Sequence, residues 1–167
     1  MSKRESQPET SDDAVADTDS YFTEPIHWRE GLLSGAVATI AMGLIIMATD
    51  MELLRVAVAG LYGQEENLVV GWIAHLVHGL LFGLLFAVIL SEPVLGQLRR
   101  RMWKSVVAGA VYGVILTVLG AGIIMPIWLQ LIDFSEALPI PNITTASLLW
   151  HVVYGTVLGA IFSFLTD

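Results

Sequence analysis

Four stretches of the chain, 31–49, 68–90, 105–132 and 144–166, contain no Asp, Glu, Lys or Arg. A helix rising 1.5 Å per residue needs roughly 20 residues to cross about 30 Å of hydrocarbon, and each stretch is close to that length or longer. Lipid offers the backbone no hydrogen-bonding partner, so a stretch of this kind crosses as a helix that satisfies its own amides. With 55% hydrophobic residues and a mean hydropathy of +0.70, the chain is too apolar for a soluble domain of 167 residues. The fold expected is all-α and integral to the membrane, with four transmembrane helices in one membrane domain over 27–167. Pro126 falls late in the third stretch, where it is expected to kink or end the helix.

The basic residues orient these spans. Lys3, Arg4 and Arg29 precede the first, and Arg99, Arg100, Arg101 and Lys104 lie between the second and third, whereas Arg55 alone lies between the first and second. Positive residues near span ends stay inside, which places both termini in the cytoplasm and the 50–67 and 133–143 connections outside the cell membrane. Trp28 and Trp103 then fall at the inner interface and Trp72, Trp128 and Trp150 near the outer one, as aromatic belts. In the first outer connection, residues 50–61 mix Asp50, Glu52 and Arg55 with Leu53, Leu54, Val56 and Val58. They read as an interfacial amphipathic helix or, preferably, as an extension of span one.

Residues 1–26 are rich in Ser, Thr, Asp and Glu, too polar to offset chain entropy, and are expected to form a disordered acidic cytoplasmic tail. No apolar core follows Lys3 and Arg4, so span one is expected to act as its own targeting signal. A formal charge of −8 speaks against nucleic acid as a partner, because phosphate-binding surfaces need clustered Lys and Arg. The lack of cysteine removes disulfides, thiol redox chemistry and Cys-bound metals.

The chain also aligns with itself. GLLSGAVATIAMGLIIM, residues 31–47, lies over GAVYGVILTVLGAGIIM, residues 109–125, with six identities and no gap. HLVHGLLFGLLF, residues 75–86, lies over HVVYGTVLGAIF, residues 151–162, with five. Two spans per copy preserve orientation, so the expectation is two tandem two-helix repeats about a pseudo-two-fold axis along the membrane normal. Each span carries GxxxG, at Gly31/Gly35, Gly79/Gly83, Gly109/Gly113 and Gly155/Gly159. Small residues one turn apart let helices approach closely in lipid, and these eight are read as helix-packing positions.

His75 and His151 occupy equivalent places in the alignment, each at i, i+4, i+8 from its two glycines and therefore on their face of the helix. Polar residues within a span face an interior, a partner or a water path. Four readings stand open. Each ring bonds a backbone carbonyl, a hydroxyl or the other ring; the pair ligates haem b or a transition metal; it passes or senses protons; or it lines a small-solute path. His78 and its counterpart Tyr154 are weaker supporting candidates, with His78 expected beside His75 or facing outer water. His27 reads as a surface histidine. Asn142-Ile143-Thr144 is an N-glycosylation sequon, read here as a helix cap because it abuts the fourth span. No charged residue serves an antiporter site within the spans, and no Walker loop or HExxH motif occurs.

The acidic N-terminus, the four spans and the His75–Gly79 and His151–Gly155 blocks resemble small uncharacterised four-span membrane proteins of halophilic archaea. That resemblance implies no established activity and carries no site residues with it. The function expected is that of a non-enzymatic polytopic membrane protein, either an assembly bundle or one handling protons or a small solute. A haem- or metal-binding redox subunit is the alternative. The partners expected are the lipid bilayer and a second copy or another membrane protein.

Overall fold

The computed structural model describes residues 25–134 and 138–167; most of the 1–26 segment expected as an acidic tail therefore lies outside the described residues. Among the described residues there is no strand, and four helices are long and apolar enough to cross a membrane. They are α1 (Trp28–Thr49), α2 (Leu68–Ile89), α3 (Met102–Leu131) and α4 (Thr145–Thr166). α1 packs on α2, α3 on α4, and α4 also on α1, whereas α2 and α3 meet through side chains. The core runs between them through Ile46, Phe86, Tyr112, Tyr154, Leu158 and Phe162.

Both hairpin seams bring backbone against backbone, although the Thr39 side chain stands opposite Gly79. A Cβ on Gly35 would stand 2.7 Å from the Gly79 carbonyl oxygen, and one on Gly31 would stand 2.8 Å from that of Gly83. In the second hairpin, Gly109 and Gly155 each present their carbonyl oxygen where the other's Cβ would be, and Gly159 meets the Ser105 carbonyl in the same way. Helices gain little hydrophobic drive from meeting inside lipid, so dispersion at such close approach must stabilise the seam. Hydroxyls add to it: Ser105 Oγ donates across the second seam to Gly159 O at 2.7 Å.

α3 does not end at Pro126. Its first part, Met102–Ile115, is α-helical, Leu116–Ile124 is π-helical, and Met125–Leu131 returns to α. Proline lacks an N–H and crowds the carbonyl four residues back, here Gly122. The wider turn accommodates the ring, and the released Gly122 carbonyl accepts from Asn142 N at 2.9 Å. The helix therefore continues, and the proline docks a loop.

The segment after α1 is not an extension of that helix. Asp50 adopts φ −159°, ψ 74°, and Leu53–Val58 then forms a separate π-helical turn. Its inward residues Leu54, Ala57 and Val58 are buried, and Gly71 admits the Leu54 carbonyl where a side chain would stand. Outward, Glu52 grips Arg55 at 2.7 Å and raises its guanidinium above the ordinary pKa. Hydropathy foresaw the composition of this segment; the break comes from the extended backbone at Asp50.

At the opposite end of the bundle, His27 is not a bare surface histidine. Its Nε2 meets Arg99 Nη1 in the α2–α3 connection, and its ring edge rests on Phe162 of α4. Ser163 Oγ donates to Arg99 O at 2.8 Å, so the start of α1, the end of α4 and the α2–α3 connection are tied together. Trp150, expected in an interfacial belt, is instead 5% exposed, because it lies on the face of α4 that meets α1; its Nε1 donates to Thr49 Oγ1 at 3.2 Å. Trp28, Trp103 and Trp128 are exposed. The cap of α4 is Thr144, the last residue of the triplet expected there, and its Oγ1 accepts from Ser147 N at 3.0 Å.

Candidate functional site

The candidate residues lie on α2 and α4, toward the end of the bundle where those helices begin. His75 follows Gly71 by one turn and precedes Gly79 by one, on the face of α2 turned to α1. It is buried, with Nε2 3.2 Å from the Thr39 carbonyl oxygen of α1. The Trp72 ring meets it edge-on at 5.9 Å, and Gly43 of α1 admits the far edge of that same indole. A neutral ring whose Nε2–H donates to a carbonyl leaves Nδ1 as its one acceptor.

His151 has different partners. Its Nδ1 lies 2.8 Å from the Ser147 carbonyl, one turn back on its own helix, and 3.5 Å from Ser147 Oγ. The ring is half-buried. Thus His75 ties two helices together, whereas His151 ties α4 to itself. Among the described residues there is no group of three or more His, Cys, Asp or Glu side chains placed to hold a metal ion.

His78 and Tyr154, aligned in sequence, also part company. His78 turns outward, where its Nε2 lies 2.8 Å from Tyr62 Oη and the two rings stack, so it supports the 50–67 connection and not His75. Tyr154 turns inward, almost wholly buried, and donates to Gly79 O of α2 at 2.7 Å. Phenol tips in apolar surroundings seek a partner, and here the partner is the carbonyl of a seam glycine.

Residues outside the sequence candidates do the same work. Tyr112 Oη donates from α3 to Phe82 O of α2 at 3.0 Å, and Thr39 and Thr117 donate to carbonyls one turn back, Gly35 O at 2.6 Å and Gly113 O at 3.0 Å. Tyrosine in a charge-free run was the one available signal for Tyr112. For Ser105, whose hydroxyl crosses to α4, the signal is its place one turn before Gly109. Ser34 donates to Glu30 O at 2.5 Å. Chemically the arrangement is a set of neutral donors set against main-chain carbonyls, with His78 and Trp150 pairing instead with hydroxyls.

No curated protein matches this chain, and no solved structure does. A family model matches residues 27–167, from the residue before α1 to the C-terminal residue, leaving out only the acidic N-terminal segment. By that match, the chain belongs to DUF6789, a family of unknown function.

Proposed function

We propose that the chain is a multi-pass protein of the cytoplasmic membrane, with both ends cytoplasmic, and that it acts as a non-enzymatic assembly bundle that joins copies of itself or another membrane protein. The observation that carries this reading is the use made of polar groups inside the spans. Ser34, Thr39, His75, Ser105, Tyr112, Thr117, His151, Tyr154 and Ser163 each engage a main-chain carbonyl. A proton or solute path needs groups that exchange partners along its length. Here the partners are main-chain carbonyls: His75, Ser105, Tyr112 and Tyr154 reach another helix, Ser34, Thr39, Thr117 and His151 bond within their own, and the eight GxxxG glycines close the seams. The seven basic residues on one side support the orientation.

The paired seams, Gly31/Gly35 with Gly79/Gly83 and Gly109/Gly113 with Gly155/Gly159, support reading the two hairpins as tandem copies about an axis along the membrane normal. The haem or metal alternative is not favoured. A macrocycle on His75 would have to part α1 from α2 where Trp72 already fills the space against Gly43.

Purified protein from native membranes tests this reading. The expected result is no Soret band, no stoichiometric metal and no proton flux in vesicles. A single complex on native gels should survive His75→Ala and be lost in Gly155→Leu. A chromophore, metal or pH-driven flux that disappears in His75→Ala would overturn it.

A further inference from the structure

α2 and α3 do not pack backbone to backbone, and between them lies a groove of about 530 Å³. That is within the roughly 300–1,000 Å³ of small-molecule sites. Its floor is Phe86 and Tyr112, its walls include Ile89 of α2 and Val107 of α3, and one end is framed by Trp103 and Lys104. The polar groups in the lining are the Lys104 ammonium, the Trp103 indole N–H and the Tyr112 hydroxyl, and the last is bonded to Phe82 O.

We propose that this groove holds one acyl chain of an anionic phospholipid, with the phosphate at Lys104. The inference rests on the membrane reading above and adds a ligand to it. Length supports the occupant. From Trp103 to Ile115 the groove follows α3 for twelve steps, about 18 Å at 1.5 Å per residue. One leaflet of a hydrocarbon core about 30 Å thick is about 15 Å deep.

Charge supports it as well. Lys104 is the one charged residue in the lining, and it follows Arg99, Arg100 and Arg101 of a connection whose one acid is Glu92. Basic pockets between spans recruit anionic head groups by this means. Lys104 Nζ stands 5.7 Å from the Trp103 ring centroid, and Trp103, 62% exposed, lies at the same level. An ammonium beside an indole at one end of an apolar slot matches a phosphate above a chain.

Native mass spectrometry of the full chain in mild detergent, titrated with phosphatidylglycerol and phosphatidylcholine of identical chains, tests this. One phosphatidylglycerol should be retained at about tenfold lower lipid concentration than phosphatidylcholine, and Lys104→Glu or Lys104→Gln should bring that ratio near one. Val111→Trp, at the exposed rim, and Ala108→Trp, inside, should each abolish retention of both lipids, while Leu33→Trp on the exposed face of α1 should leave it unchanged. Equal retention of the two lipids by the unaltered chain would overturn the proposal, as would undiminished retention in both tryptophan variants. A lipid-free dimer that Val111→Trp dissolves would assign the groove to a second copy instead. Cysteine accessibility reads the membrane topology separately, so failure of lipid binding is distinguishable from failure of the four-span reading.

Discussion

The α1–α2 and α3–α4 seams are both built on glycine, yet different atoms stand opposite the glycines. At Gly79 the neighbour is a side chain, Thr39, whose hydroxyl and Cβ occupy the space a methyl would need. At Gly109, Gly113, Gly155 and Gly159 the neighbours are all backbone. A side chain can be traded away; a carbonyl cannot. Part of the first seam is therefore adjustable by substitution, whereas the second is fixed by the main chain itself. The polar groups follow the same division. His75 bridges α1 and α2, while the second seam carries Ser105 as its bridge and leaves His151 bonded along α4.

The sharpest break comes from bulk at the second seam. Gly155→Leu should leave no folded α3–α4 pair, a loss beyond the usual 1–3 kcal/mol of overpacking, about 3 kcal/mol or more, read as lost helical signal in an SDS titration. Gly79→Ala should also destabilise. Adding Thr39→Gly should restore most of that loss, short of about 1 kcal/mol for a glycine inside a helix. No single substitution should rescue Gly155→Ala. A rescue there would erase the distinction between the seams.

Histidine truncation gives the next largest contrast. His75→Ala removes a buried ring and its bond to α1 and should reduce stability by about 2–3 kcal/mol. His151→Ala removes a half-exposed ring bonded to its own helix, and should cost about 1 kcal/mol or less by the same measurement. Equal losses would mean that the two histidines act as one unit, against their observed partners.

Smaller again is Tyr154→Phe, which deletes the hydroxyl bonded to Gly79 O while keeping the ring. Hydrogen bonds between membrane helices average about 0.6 kcal/mol, so a loss of about 0.5–1 kcal/mol is expected. The Gly79 carbonyl remains within its own helix, which keeps the effect small. His78→Phe should change stability less, because its partner Tyr62 is an exposed residue of the connection.

The four helices were readable in advance because absence of charge over roughly 20 residues is itself the physical condition for crossing lipid. What hydropathy does not contain is hydrogen-bond register. Nothing in the sequences of Leu53–Val58, which carries Arg55, and Leu116–Ile124, which is apolar, marks a π-helical turn, and only Pro126 hints at the second. Direction within the membrane was equally hidden. An apolar helix is apolar all round, so nothing in its periodicity separates Trp150, which faces α1, from Trp128, which is exposed. Of the candidate site, the positions of His75 and His151 were visible through their spacing to glycine. Their partners were not, because a carbonyl acceptor leaves no mark in the sequence. The cap of α4 lies within the Asn142-Ile143-Thr144 triplet, at Thr144, and which of the three takes it depends on where α4 begins.

A chain that crosses the bilayer four times keeps both ends on one side, and the absence of cysteine makes this directly measurable. Single cysteines at Gly63 in the 50–67 connection, at Gln97 between α2 and α3, and at Asp167 can be labelled in intact cells with a membrane-impermeant maleimide. Gly63→Cys should be labelled at once, and Gln97→Cys and Asp167→Cys only after the membrane is opened. Labelling of Gln97→Cys or Asp167→Cys in intact cells, or protection of Gly63→Cys, would contradict this four-span topology.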